Sequence, residues 1–142
     1  MNKLELKHLA PYLSYGLRVI CGGTERNLTA ISLDSRFVFI TVYKGSREKQ
    51  MKPIEDIKPI FHPLSDLIKP CLPEGKIPFT RWYPNYPNFS FYEEIAADFI
   101  LRIKNDKEQL TLDDWNWLFE RHFDLHNLIE QNLAVDINTL PK

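Results

Sequence analysis

The sequence is poor in glycine, with five in 142 residues, and has only two cysteines. So few glycines leave little capacity for a phosphate-cradling loop, and no glycine-rich nucleotide signature occurs. Cys21 and Cys71 cannot build a disulfide framework. Each stands beside apolar residues, which reads as a buried free thiol rather than a redox pair. No run approaches the ~18 consecutive apolar residues of a membrane span. The opening Met1–His8 alternates charged and apolar residues without the continuous apolar stretch of a secretory signal, so the expected location is the cytoplasm, with no membrane partner. Nucleophile elbows and cysteine–metal spacings are missing too, and no cofactor is implied.

Charge of one sign is also scarce, with a formal net charge of −1. Residues 1–75 carry 11 Lys and Arg against 8 Asp and Glu, and residues 76–142 carry 7 against 11. Neither half has the clear basic excess of a nucleic-acid-binding domain.

What is present is core material, at 44% hydrophobic and 13% aromatic residues. The length sits at the common size of one domain. Residues 1–62 read as mainly β, 63–90 as a short helix and a proline- and aromatic-rich connection, and 91–142 as mainly α. A short helix is expected around Leu4–Leu9, limited by Pro11. Leu17–Cys21 reads as a strand closed by Gly22-Gly23, which supply positive φ for a turn. Leu28–Leu33 and Phe37–Tyr43 complete an antiparallel meander, with Asp34-Ser35 in the tight connection. Lys44–Lys52 reads as a polar loop, Lys52–Phe61 as an edge strand broken by prolines, and His62–Ile68 as a short helix with Pro63 at its first position.

In the second half, Ser90 and Glu93 form a capping-box pattern ahead of a helix over 91–104, whose inner face is Tyr92, Ile95, Ala96, Phe99 and Ile103. Thr111 opens another helix, with Leu112, Trp115, Phe119 and His122 on its inner face. Asp124 is expected to cap a last short helix through Ile129, ended by a left-handed Asn132. Leu133–Leu140 reads as an extended strap or an added strand. The expected fold is therefore α+β: a small antiparallel meander, open to curling toward an SH3-like barrel, packed by two or three C-terminal helices.

The segment Lys3-Leu4-Glu5-Leu6-Lys7-His8-Leu9-Ala10-Pro11-Tyr12-Leu13, running into Tyr15-Gly16-Leu17, resembles the start of a family of short proteins encoded by phages and mobile elements of gut bacteria. His122-Phe123-Asp124-Leu125, Leu128-Ile129 and Leu133–Leu140 resemble that family's close, and Lys58-Pro59-Ile60 with Pro63–Leu67 gives a third match. The resemblance spans roughly a third of the chain and leaves about Cys71–Asn88 unmatched. It implies a phage or mobile-element context and a small accessory role, and it transfers no catalytic residue.

Four groups of residues carry possible chemistry. Phe79, Trp82, Tyr83, Tyr86, Phe89, Phe91 and Tyr92 crowd seven aromatics into a short segment beside Arg81. Such rings can pack on the core, anchor a protein interface through Trp82, Tyr83, Tyr86 and Arg81, or stack on a base. Lys44, Arg47, Lys49 and Lys52 form the best phosphate-facing patch, if they are more than a solvated loop. His122, Asp124 and His126 have spacing for a metal-dependent hydrolase only if one helix runs through them, which an Asp124 cap would interrupt. His62 and Asp66 offer a weaker i, i+4 pair of the same kind. The acidic pairs Glu55-Asp56, Glu93-Glu94 and Asp113-Asp114 can be acid–base dyads, but the last two fit helix N-termini. The leading expectation is a non-enzymatic accessory protein that binds a host or phage protein; nucleic-acid binding and metal-dependent hydrolysis are the alternatives.

Overall fold

A computed structural model describes residues 3–32, 34, 36–86, 88, 92–105 and 110–140. The first half is a sheet built from β1 (Arg18–Cys21), β2 (Thr24–Ile31), β3 (Phe37–Thr41), β4 (Lys49–Pro53) and β5 (Ile57–Phe61). A short β6 (Val135–Asp136) returns from the far end of the chain. The spatial order is β4-β3-β2-β1-β5-β6; all neighbours are antiparallel except β5 and β6, which run parallel. With the second half contributing helices α2 (Tyr92–Asn105) and α3 (Leu112–Glu120), the fold is α+β.

Gly22 and Gly23 sit at φ 60 and φ 80 between strands that end at Cys21 and begin at Thr24. Two consecutive positive φ values match the twist of a two-residue hairpin, which side chains with a Cβ rarely allow. The turn thus sets the register Cys21↔Thr24 and starts β2 four residues earlier than the expected Leu28. Val38 and Ile40 are buried on one side of β3, in a core with Leu17, Val19, Leu28, Ile57 and Phe61. Of the tight connection after Ser32, Leu33 and Ser35 lie outside the described residues. Asp34 Oδ1 accepts from the Arg36 N–H at 3.1 Å, a bond that holds its carboxyl below the ordinary range, second to the Ser32 hydroxyl.

Two expectations for this half need correction. Residues 49–53 are not loop but edge strand, paired from Thr41↔Lys49 to Phe37↔Pro53. The stretch after them is not an edge: β5 lies between β1 and β6, with Pro59 opposite Val19. The β1–β5 pairing is only three residues long, so the donor that Pro59 lacks disturbs little. Among the described residues β4 and β6 remain at opposite edges, and the sheet is open rather than an SH3-like barrel.

The amino-terminal α1 (Leu6–Leu9) runs into a 3-10 helix over Ala10–Tyr15, ended by Gly16 at φ 68. Pro63 is the cap of the 3-10 helix Leu64–Ile68 rather than its first residue. Buried Ala96 and Ile103, with half-buried Tyr92, Ile95 and Phe99, form the expected inner face of α2, and half-buried Ile100 adds to it; Ser90 and Phe91 lie outside the described residues. Thr111 caps α3, accepting from Asp114 N at 3.1 Å. The inner face of α3 centres on buried Leu118, and Leu112 is 75% exposed, because it sits in the open first turn. α2 packs on the 64–68 segment and α3 on the 10–15 segment, and Phe119 of α3 packs against the core that lines the sheet.

The chain leaves α3 at Arg121, turns through His122 at φ 59, and forms no further helix before β6. Asp124 still caps, but its two oxygens accept from Leu128 N and Ile129 N, both at 2.9 Å. Asn127 at φ 59 explains the missing helix, since a left-handed residue ends a right-handed turn. Asn132 adopts the expected left-handed conformation at φ 60. No helix is long and apolar enough to cross a membrane among the described residues.

Candidate functional site

The aromatic segment is largely spent on packing. Phe79 is fully buried, stacked on Tyr83 at 4.8 Å and meeting Tyr86 and Phe99 edge-on at 5.0 and 5.4 Å. Trp82 lies against Phe99 at 4.7 Å and Trp117 at 5.6 Å. Its Nε1–H has no acceptor among the described residues. Arg81 spans this cluster, 5.3 Å from the Trp117 ring and 3.4 Å from Asp114 Oδ1, and Arg121 covers the same indole at 4.1 Å. Trp82, Tyr83 and Tyr86 are half-buried and only Arg81 is exposed. Phe89 and Phe91 lie outside the described residues.

The histidines are separated. His122 Nε2 lies 2.7 Å from the carbonyl of Tyr15, a contact that requires the proton on Nε2. Burial lowers its pKa, the Tyr15 bond opposes this, and Arg18 and His62 lower it further. Asp124 is buried under its own two main-chain bonds, and His126 packs its ring on His8 at 5.3 Å. Among the described residues no group of three or more His, Cys, Asp and Glu side chains can hold a metal ion. Glu93-Glu94 and Asp113-Asp114 stand in the first turns of α2 and α3, and Glu55-Asp56 in a 3-10 turn.

A polar network lies at the end of β5, where the His62–Asp66 pair is joined by Asn138, a partner the sequence did not indicate. His62 donates its main-chain N–H to the His122 carbonyl at 2.8 Å and accepts from Asp124 N at 3.0 Å. Its Nδ1 is 2.9 Å from Oδ2 of Asp66, a carboxylate only 1% exposed. Asn138, 72 residues away, donates Nδ2–H to both Asp66 oxygens at 2.9 and 3.1 Å, and Lys69 Nζ approaches to 3.6 Å. Cys71 places Sγ 3.4 Å from the Asp66 carbonyl; burial, then the Asp66 charge, pushes its thiol pKa up. Cys21 is buried as expected, but Cys71 is only half-buried, and both are free. A raised thiol pKa disfavours the thiolate that a nucleophile needs. The arrangement therefore fastens the tail to the body.

The β3–β4 hairpin carries exposed apolar and basic side chains together. Residues opposite each other in a sheet share a face, so Phe39 and Met51 lie side by side, as do Phe37 and Pro53. Phe37 and Phe39 are half-buried and Met51 is 55% exposed; Tyr43, in the hairpin turn, is 64% exposed. The Phe37–Pro53 end opens into a surface groove of about 860 Å³ whose other wall is Lys3–Lys7. Leu4, Leu6, Phe37, Pro53 and Ile54 give it an apolar lining. Lys3, Lys7 and Arg36 outnumber Glu5 and Glu55, and Glu5 is already paired with Lys7 at 3.2 Å. Lys44, Arg47 and Lys49 are exposed around the hairpin and Lys52 is half-exposed. Lys44 reaches Glu25 at 2.9 Å and holds that carboxyl below its ordinary range.

Comparison with protein-family models, with curated proteins and with solved structures finds no match to this chain.

Proposed function

We propose that this chain is a non-enzymatic accessory protein of a phage or mobile element that acts by docking onto another protein. The observation that carries the docking part is the β3–β4 face, where Met51 is 55% exposed beside Phe39 and the apolar floor continues through Phe37 and Pro53 into the groove. Contiguous apolar surface with a polar rim is characteristic of interaction sites. The docking surface thereby moves from Trp82, Tyr83 and Tyr86, whose rings are engaged with α2 and α3, to the hairpin. Asp66, Asp124 and His122 are each tied to main-chain or tail partners, which supports the non-enzymatic part. The phage or mobile-element context rests on the sequence resemblance.

Affinity capture from a bacterial host lysate tests this reading, run with and without nuclease, with wild type and Met51→Asp side by side. A protein enriched by wild type, lost with the variant and indifferent to nuclease is the expected result. Equal capture by both sinks the docking face.

Nucleic-acid binding is the second reading, favoured by the exposed cluster of Lys44, Arg47 and Lys49. It requires enrichment that vanishes with nuclease and an affinity that falls steeply with salt, because cation–phosphate contacts act through counterion release.

A further inference from the structure

We infer that the outer edge of β4 is a strand-addition site for an extended acidic segment of a partner protein. This rests on the docking reading and specifies its partner.

The hydrogen-bond phase of the hairpin decides which groups face outward. Ile54 donates to the Arg36 carbonyl and Val42 to the Glu48 carbonyl, both at 2.9 Å. In an antiparallel ladder, bonded pairs alternate with non-bonded ones. With this register the bonded pairs are Val38↔Lys52 and Ile40↔Gln50; Thr41↔Lys49, Phe39↔Met51 and Phe37↔Pro53 are non-bonded. The N–H and C=O groups of Lys49 and Met51, with the carbonyl of Pro53, therefore project away from β3. No strand occupies that side among the described residues. An incoming strand meets two donors and three acceptors in strand spacing, beside the Met51 and Phe39 side chains.

Charge selects the occupant. Between Tyr43 and Ile54 the chain has four cations, Lys44, Arg47, Lys49 and Lys52, against the single acid Glu48; Lys44 is paired with Glu25 of β2, which leaves the other three against Glu48. Lysines on an edge strand normally discourage pairing between copies. A second copy adding through its own β4 sets these lysines against each other. An acidic strand offsets this excess: with its apolar residues on the Met51 face, its alternating acids fall on the Lys52 face. Pro53, with no N–H, limits the added strand to the Lys49–Pro53 length.

The test uses the full-length ¹⁵N-labelled protein and two synthetic peptides, Ac-EVEVEVE-amide and Ac-KVKVKVK-amide, followed by amide chemical shifts and hydrogen exchange. The acidic peptide should shift amides 47–52, slow exchange at Lys49 and Met51 by about tenfold or more, and bind at least about tenfold tighter than the basic one. Met51→Pro deletes an outward N–H without removing a bond to β3, and should weaken binding by a similar factor with the rest of the spectrum unchanged. Should that variant fail to fold, the double reversal Lys49→Glu/Lys52→Glu, which keeps every backbone group, should switch preference to the basic peptide.

Unprotected Lys49 and Met51 amides, equal binding of both peptides, or an affinity that Met51→Pro leaves intact overturns strand addition; the last result marks a contact by charge alone. Dimerisation through this edge overturns the choice of partner. A captured protein sensitive to Met51→Asp, with these two amides still exchanging freely, overturns this inference and leaves the docking face in place.

Discussion

Tyr12 and Phe123, 111 residues apart, are joined by a hydrogen bond from the Tyr12 hydroxyl to the Phe123 carbonyl. The same hydroxyl accepts from Leu125 N at 3.3 Å. The ring packs on Phe61 of β5 at 4.5 Å and on Phe119 of α3 at 5.0 Å, so one buried side chain ties the sheet to the helical half. Burial holds its pKa far above the usual phenol range.

Tyr12→Phe keeps the packing and removes the hydroxyl, leaving the Leu125 N–H and the Phe123 carbonyl unpaired in the interior. The expected loss is about 1–3 kcal/mol, the penalty for orphaned buried polar groups. Urea unfolding, with the slope unchanged and the midpoint lowered, is the measurement; an unchanged midpoint contradicts the role given to Tyr12.

Asn138→Ala should cost roughly 1.5–3 kcal/mol, since it strips two hydrogen bonds from the buried Asp66 carboxylate. The damage should be local first. Amides of 135–140 should exchange faster than the rest of the sheet, because Asn138 pins the segment that carries β6. Uniform exchange across the sheet contradicts the tail-fastening role.

His122 gives a pH dependence of definite sign. Its folded-state pKa lies below the ordinary ~6.5 of histidine, chiefly through burial. Below about pH 6.5 the unfolded chain takes up this proton before the folded one, so the unfolded state binds more protons and stability falls as the pH is lowered. The loss should begin near pH 6.5 and continue down to the lower folded pKa. Comparing urea midpoints at successive pH values between wild type and His122→Asn isolates this part, because Asn tolerates the left-handed φ at that position. The variant should lose stability less steeply over this window; identical slopes contradict it.

Much of the fold was legible because local chemistry determined it. Gly22-Gly23 could only be a tight turn, the 3.6-residue period of α2 named its inner face, and Thr111 capped where a cap was expected. β4 was not legible. An edge strand needs no apolar alternation when it has one neighbour, and Lys49–Pro53 looked like the loop before it. The missing helix after Asp124 had a local cause in the left-handed Asn127, a conformation Asn adopts without announcing it.

The candidate site was less legible still. The aromatic density around Trp82 was real, but its destination on α2 and α3 depended on long-range packing. His62 and Asp66 were visible as a pair, whereas Asn138 could be joined to them only by the parallel return of β6. Met51 carried one weak signal, an apolar residue between lysines ahead of a proline.

The parallel pairing of Ile60 with Val135 has a consequence for the chain as it is made. β5 leaves the ribosome some 75 residues before its outer neighbour, so the nascent sheet ends on β5 where the finished one ends on β6. Until residue 135 emerges, the Ile57–Phe61 flank has Lys58 alone where β4 has Lys49 and Lys52, and it is the place where a stalled chain should recruit a chaperone or cross-associate.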